Sequence, residues 1–112
     1  MSTQNLNAVW LKAAGTADVV SGKPKIVELG GIRIALCRVE NDPAVYAIED
    51  VCTHDDGPLA EGPQSGSEIE CPRHGARFDV KTGAALSMPA ITPVRTFKTR
   101  VNGSSIEVEV PK

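Results

Sequence analysis

Two short motifs hold most of the metal-binding chemistry this chain can offer. Cys52-Thr53-His54 and Cys71-Pro72-Arg73-His74 read as C-x-H and C-x-x-H with sixteen residues between them. Both histidines and two of the three cysteines fall within these seven positions. Any one of them alone would pass for a buried small thiol or a surface imidazole. Four soft or borderline donors on two Gly/Pro-rich stretches form a ligand set instead. Two thiolates and two imidazoles suit a tetrahedral zinc ion, and they also suit an iron–sulfur centre. Zinc sites usually couple cysteine with cysteine and histidine with histidine, whereas each motif here carries one of each. Mixed motifs have a use in a binuclear cluster, where one iron takes the two thiolates and the other the two imidazoles. Each loop then reaches both irons.

The elements that must position these motifs are strands. Valine and isoleucine together number 19 against 6 leucines, and β-branched side chains favour extended backbone. Ten glycines and eight prolines imply many turns and no long helices. Val9 to Ala13 is a short candidate edge strand. Lys25–Leu29 and Ile32–Val39 flank Gly30-Gly31, a pair suited to a two-residue hairpin turn. Asn41-Asp42-Pro43 ends the second of these, and Ala44–Glu49 resumes an extended run. Thr96–Val101 and Ile106–Val110 bracket Asn102-Gly103. There Phe97, Thr99 and Val101 alternate with Lys98 and Arg100, and Ile106, Val108 and Val110 alternate with Glu107 and Glu109. An antiparallel pairing sets a basic outer row beside an acidic one, worth roughly 0.2–1 kcal/mol per pair. The expected fold is all-β, an antiparallel β-sandwich or small barrel, in a single domain over residues 1–112. Residues 51–93 break the pattern: they form a loop-rich insertion carrying both motifs, of a length that is unusual unless it serves function.

Composition removes several classes. Twelve basic against fourteen acidic residues leave a net charge of −2 and no footprint for nucleic acid. No apolar run approaches the ~18 residues a membrane span requires. The start Met-Ser-Thr-Gln-Asn has neither the basic residues nor the apolar stretch of a secretory signal, so the expected location is the cytoplasm. One Trp, one Tyr and two Phe make a modest core, for which a metal supplies a staple. Trp10 is expected as a core anchor and Cys37 as a core thiol. Asp55, Asp56 and Glu61 make the first loop acidic, and Arg73 and Arg77 are expected to pair with nearby carboxylates.

The context of the two motifs resembles the Rieske [2Fe–2S] family. Cys52-Thr53-His54 with Gly57-Pro58-Leu59, and Cys71-Pro72-Arg73-His74-Gly75 with Phe78-Asp79, match its two cluster-binding loops. Thr82-Gly83 and Pro89-Ala90 look like its proline-containing third loop, and the likeness extends from Trp10 to Val110. The resemblance implies a [2Fe–2S] cluster with Cys52 and Cys71 on the inner iron and His54 and His74 on the outer. Gly57, Pro58, Gly75, Ala76, Phe78 and Pro89 would surround it. Pro58, Pro72 and Pro89 would stiffen the loops, and Gly57 and Gly75 would let backbone N–H groups face sulfur. Neutral imidazoles make such a site formally neutral when oxidised, which raises its potential above that of an all-thiolate ferredoxin.

Three departures place the chain within that family. High-potential members carry an additional cysteine in each loop, joined as a disulfide, where this chain has Gly57 and Arg73. They also carry Ser and Tyr hydroxyls where this chain has Ala76 and Phe78. Without those donors the reduced cluster is less stabilised, which implies a potential near about −150 mV. No anchoring helix is expected. The resemblance therefore implies a soluble Rieske-type ferredoxin, a one-electron carrier between an NAD(P)H-dependent flavoprotein reductase and a terminal oxygenase, as in ring-hydroxylating dioxygenase systems. It would not be an enzyme by itself, would have no small-molecule substrate, and is expected to act as a monomer. The alternatives are a Rieske protein of redox sensing or iron–sulfur assembly, and a structural zinc module. The small subunit of assimilatory nitrite reductase also resembles this fold, but it typically lacks the ligands.

Overall fold

The computed structural model describes residues 8–111, and its regular elements are almost all strands. In chain order these are β1 (Ala8–Gly15), β2 (Lys25–Leu29), β3 (Ile32–Arg38), β4 (Val45–Glu49) and β5 (Gln64–Ser65). They continue with β6 (Glu68–Glu70), β7 (Arg77–Asp79), β8 (Thr96–Phe97), β9 (Thr99–Asn102) and β10 (Ser105–Pro111). A single 3-10 turn, Thr16–Asp18, follows β1. Three antiparallel sheets result, ordered β1-β10-β9, β2-β3-β4-β8 and β5-β6-β7. Among the described residues no helix is long and apolar enough to cross a membrane.

The middle sheet is shared by two cores. Along β3 the period-two alternation of a strand sends Ile34 and Leu36 to one face and Ala35 and Cys37 to the other, and all four are fully buried. Ile34 and Leu36 join Val45 and Ala47 of β4 and Ile106, Val108 and Val110 of β10 in one cluster. Ala35 and Cys37 join Ile48 of β4 and Cys52, Leu59, Ile69, Cys71, Ala76, Phe78 and Val80 in the other. Burial on both faces explains why β3 reads as a continuous apolar run while β10 alternates with Glu107 and Glu109. The Gly30-Gly31 turn forms as expected, with φ of +57° and +81°, the combination a primed hairpin turn needs.

Four details differ from the sequence reading. The run Thr96–Val101 is divided at Lys98, because the chain changes sheets there: β8 pairs with β4 and β9 with β10. A hydrogen bond from the Thr99 hydroxyl to the Val45 carbonyl, 2.6 Å, ties the crossing down. The following turn falls one residue later, with Asn102 opposite Ser105. Arg100 thereby sits opposite Glu107 and bonds it at 2.6 Å, as the charge rows require, but Val101 at the sheet's end is 56% exposed. Residues 51–93 hold a small sheet of their own, β5-β6-β7, whose strands are too short for their alternation to show in the sequence. Trp10 is half-buried on an edge strand, with the Arg100 guanidinium 4.2 Å above its ring.

Candidate metal centre

Two loops closed in the same way present the four candidate ligands. The first leaves the end of β4, and the second joins β6 to β7. In the first, the Cys52 N–H donates to the Gly57 carbonyl at 2.8 Å and the Cys52 carbonyl accepts from Asp56 N at 2.7 Å. In the second, the Cys71 N–H donates to the Ala76 carbonyl at 2.7 Å and the Cys71 carbonyl accepts from Gly75 N at 3.0 Å. Both residues that turn back onto the cysteine have positive φ, Asp56 at +61° and Gly75 at +75°. Glycine takes that conformation freely, and aspartate tolerates it better than most residues.

This closure turns each cysteine inward and each histidine outward. Cys52 and Cys71 are fully buried, and their sulfurs lie within 4.8 Å of each other and of an Asp55 carboxylate oxygen. His54 and His74 are exposed, with ring centroids 5.2 Å apart and planes near perpendicular at 86°. The donors therefore segregate into a buried thiol pair and an exposed imidazole pair. The two pairs adjoin at Asp55, whose Oδ2 lies 3.9 Å from His74 Nε2. Asp55 is already engaged: Arg73 holds it with two hydrogen bonds at 2.6 and 3.1 Å, and the Gly57 N–H donates to it at 3.1 Å. Arg73, ahead of the Gly57 N–H, holds that carboxyl well below the usual carboxylate range.

Burial pushes the Cys52 thiol up, only partly offset by the His54 backbone N–H. A thiol so placed gives up its proton when a metal replaces it, which couples binding to proton release. Of the other positions singled out, Ala76 and Phe78 are fully buried beneath the loops, and neither carries a hydroxyl. Pro58 is half-buried beside Leu59. Pro89 is also half-buried, between the exposed Met88 and the buried Ala90. Cys37 lies in the same core as Cys52 and Cys71 but outside the donor group. Arg77 pairs with Glu70 at 3.3 Å, as its charge led one to expect.

Two positioning groups escaped the sequence reading. Asp50, its side chain wholly buried, accepts from Leu59 N at 2.9 Å and Ala60 N at 2.7 Å, and from the Arg33 guanidinium at 3.0 Å. It fastens the far end of the first loop back to its start. The Thr53 hydroxyl donates to the Thr92 carbonyl at 2.6 Å and so ties the first loop to the third. An acid two residues before Cys52 was visible in the sequence, but nothing there distinguished it from a solvated one.

The chain as a whole is similar to known proteins. The model of the Rieske [2Fe–2S] domain matches residues 9–98. The ferredoxin component of the naphthalene 1,2-dioxygenase/salicylate 5-hydroxylase systems of Ralstonia sp. is 35% identical over 108 residues, covering 96% of this chain and 98% of that protein. Among solved structures, the Sphingomonas yanoikuyae B1 ferredoxin superposes with a TM-score of 0.84 at 32% identity, over 90% of this chain and 98% of that one. A chain in the complex of reduced oxygenase and oxidised ferredoxin in carbazole 1,9a-dioxygenase gives a TM-score of 0.81 at 37% identity, over 88% of this chain and 91% of that one.

Proposed function

The chain belongs to the Rieske [2Fe–2S] family, and on that premise we propose that it carries single electrons from an NAD(P)H-dependent flavoprotein reductase to a terminal oxygenase. Cys52 and Cys71 would hold one iron of the cluster, and His54 and His74 the other. The cluster, when bound, supplies a one-electron acceptor and donor. The protein's part is to exclude water from the thiolate side and to bring the imidazole side to the surface. The observation that carries this reading is the segregation of donors, two buried thiols beneath two exposed imidazoles. Exposed imidazoles give a short through-bond route to a docked partner.

The Ralstonia relative is a ferredoxin component of dioxygenase systems, and one matched chain comes from a complex of oxygenase with ferredoxin. Those names support the oxygenase as acceptor, while the flavoprotein reductase is inferred from the family. The chain then works as a single-domain monomer of the cytoplasm, with residues 51–93 as its cluster-binding part and no small-molecule substrate of its own. The test is an EPR spectrum of anaerobically purified, dithionite-reduced protein, with iron and sulfide assayed on the same sample. A rhombic signal of low average g with two irons and two sulfides is expected. A silent spectrum with one zinc would overturn the reading.

A further inference from the structure

Arg73 reaches from the second ligand loop to the first. Its Nε donates to Asp55 Oδ2 at 2.6 Å and its Nη2 to Asp55 Oδ1 at 3.1 Å, a two-pronged pair across the loops. The same Nη2 donates to Cys71 Sγ at 3.3 Å. The side chains are 33% and 23% exposed, so the pair is partly sheltered from solvent. Gly57 makes room for it: a Cβ built there would stand 2.6 Å from Arg73 Cζ and 2.7 Å from Nη2. The absence of a side chain at position 57 is thus part of the arrangement.

We propose that Arg73 positions the two ligand loops through Asp55 and at the same time sets the cluster's potential by donating to the Cys71 sulfur. This rests on the reading of Cys71 as a ligand. Reduction adds negative charge at the cluster and its sulfurs, and a cation holding an N–H on one of them favours that state. Ala76 and Phe78 offer no hydroxyl to sulfur, so the guanidinium supplies the donor those side chains lack. Asp55 orients the fork, because only a planar guanidinium can meet both carboxylate oxygens and still present Nη2 to sulfur.

The experiment compares holoprotein of the wild type with Arg73→Gln, Arg73→Lys, Asp55→Asn and Gly57→Ala. EPR confirms the cluster, protein-film voltammetry reads the midpoint, and bleaching under a chelator reads cluster loss. Arg73→Gln is expected to bind the electron about tenfold less well, a midpoint about 59 mV lower, and to lose its cluster several-fold faster. Arg73→Lys keeps the charge without the fork and should recover part of the midpoint but not the retention. Asp55→Asn loosens the fork but also removes a negative charge beside the cluster, so it should lose the cluster faster with no net fall in midpoint. Gly57→Ala leaves every charge in place and displaces the guanidinium, so its midpoint should move in the direction of Arg73→Gln. It stands in for that variant if Arg73→Gln does not assemble. Intact spectra with wild-type midpoint and retention in Arg73→Gln, or in Gly57→Ala where Arg73→Gln does not assemble, would overturn the proposal and leave the Rieske reading standing. A wild type without the signal overturns that reading and this one together.

Discussion

Ala76 and Phe78 lie fully buried under the two ligand loops, and each lacks a hydroxyl that could donate to the cluster or its thiolates. Restoring both, as Ala76→Ser with Phe78→Tyr, is expected to stabilise the reduced state by about 1 kcal/mol per hydrogen bond. At about 59 mV per tenfold that is a rise of roughly 40 mV each, read by voltammetry on an intact cluster. An unchanged midpoint would show that the hydroxyls do not reach sulfur. His54→Ala removes one donor of the exposed pair and should abolish the Rieske-type EPR signal, whereas an unaltered spectrum and iron content would exclude His54 as a ligand. Cys37 is a different case. Burial first, and then the charge of Asp50, push its thiol up to about 12. The folded protein thus holds that proton more tightly than the unfolded chain, and the contribution is complete below about pH 9 and lost as pH rises towards 12. Wild type should lose about 2 kcal/mol from this group between pH 8 and 10.5. Urea titrations of Cys37→Ala should lack that increment and leave the EPR signal as it was.

The ligand loops depend on elements that contribute no ligand. Asp50 closes the first loop by accepting two backbone N–H groups, and Arg33 of β3 neutralises it. Asp50→Ala would leave the buried Leu59 N–H and its neighbour without acceptors, a loss of roughly 2–4 kcal/mol. Asp50→Asn retains one acceptor oxygen and should cost less, which denaturant midpoints of the two variants would separate. The second loop depends on Gly75 at φ +75°, where a Cβ would meet nothing within 4 Å. Gly75→Ala therefore tests backbone strain alone, at about 1–2 kcal/mol. A neutral result would mean that the loop reaches its closure without the left-handed residue.

At the scale of the molecule, the middle sheet carries one core on each face, and only one of them contains the two candidate thiol ligands. The described residues measure 43 × 29 × 24 Å, with two cores stacked in an elongated body. Removing the cluster should therefore loosen one end only. Amide exchange of chelator-treated protein is expected to rise in residues 52–59 and 71–78. β10, whose Ile106, Val108 and Val110 belong to the other core, should remain protected. Uniform loss of protection would mean that the two faces fold as one cooperative unit.

The amino-acid sequence by itself picked out the candidate donor set, because four donors of two types at two spacings have little other use. It also determined the strand content and the Gly30-Gly31 hairpin, because alternation and turn chemistry are local. Only the tertiary structure decided which donors face inward. Hydrogen bonds from each cysteine to a carbonyl five residues on turn the thiols to the core and leave the imidazoles outside. It also decided that the run from Thr96 changes sheets at Lys98, that Asp50 is a buried clamp and not a surface charge, and that Gly57 leaves room for Arg73. Each of these depends on a partner distant in the chain, such as Val45 for Thr99 or Asp55 for Arg73. Such pairings exist only once the sheets have brought the segments together, so no local pattern announces them.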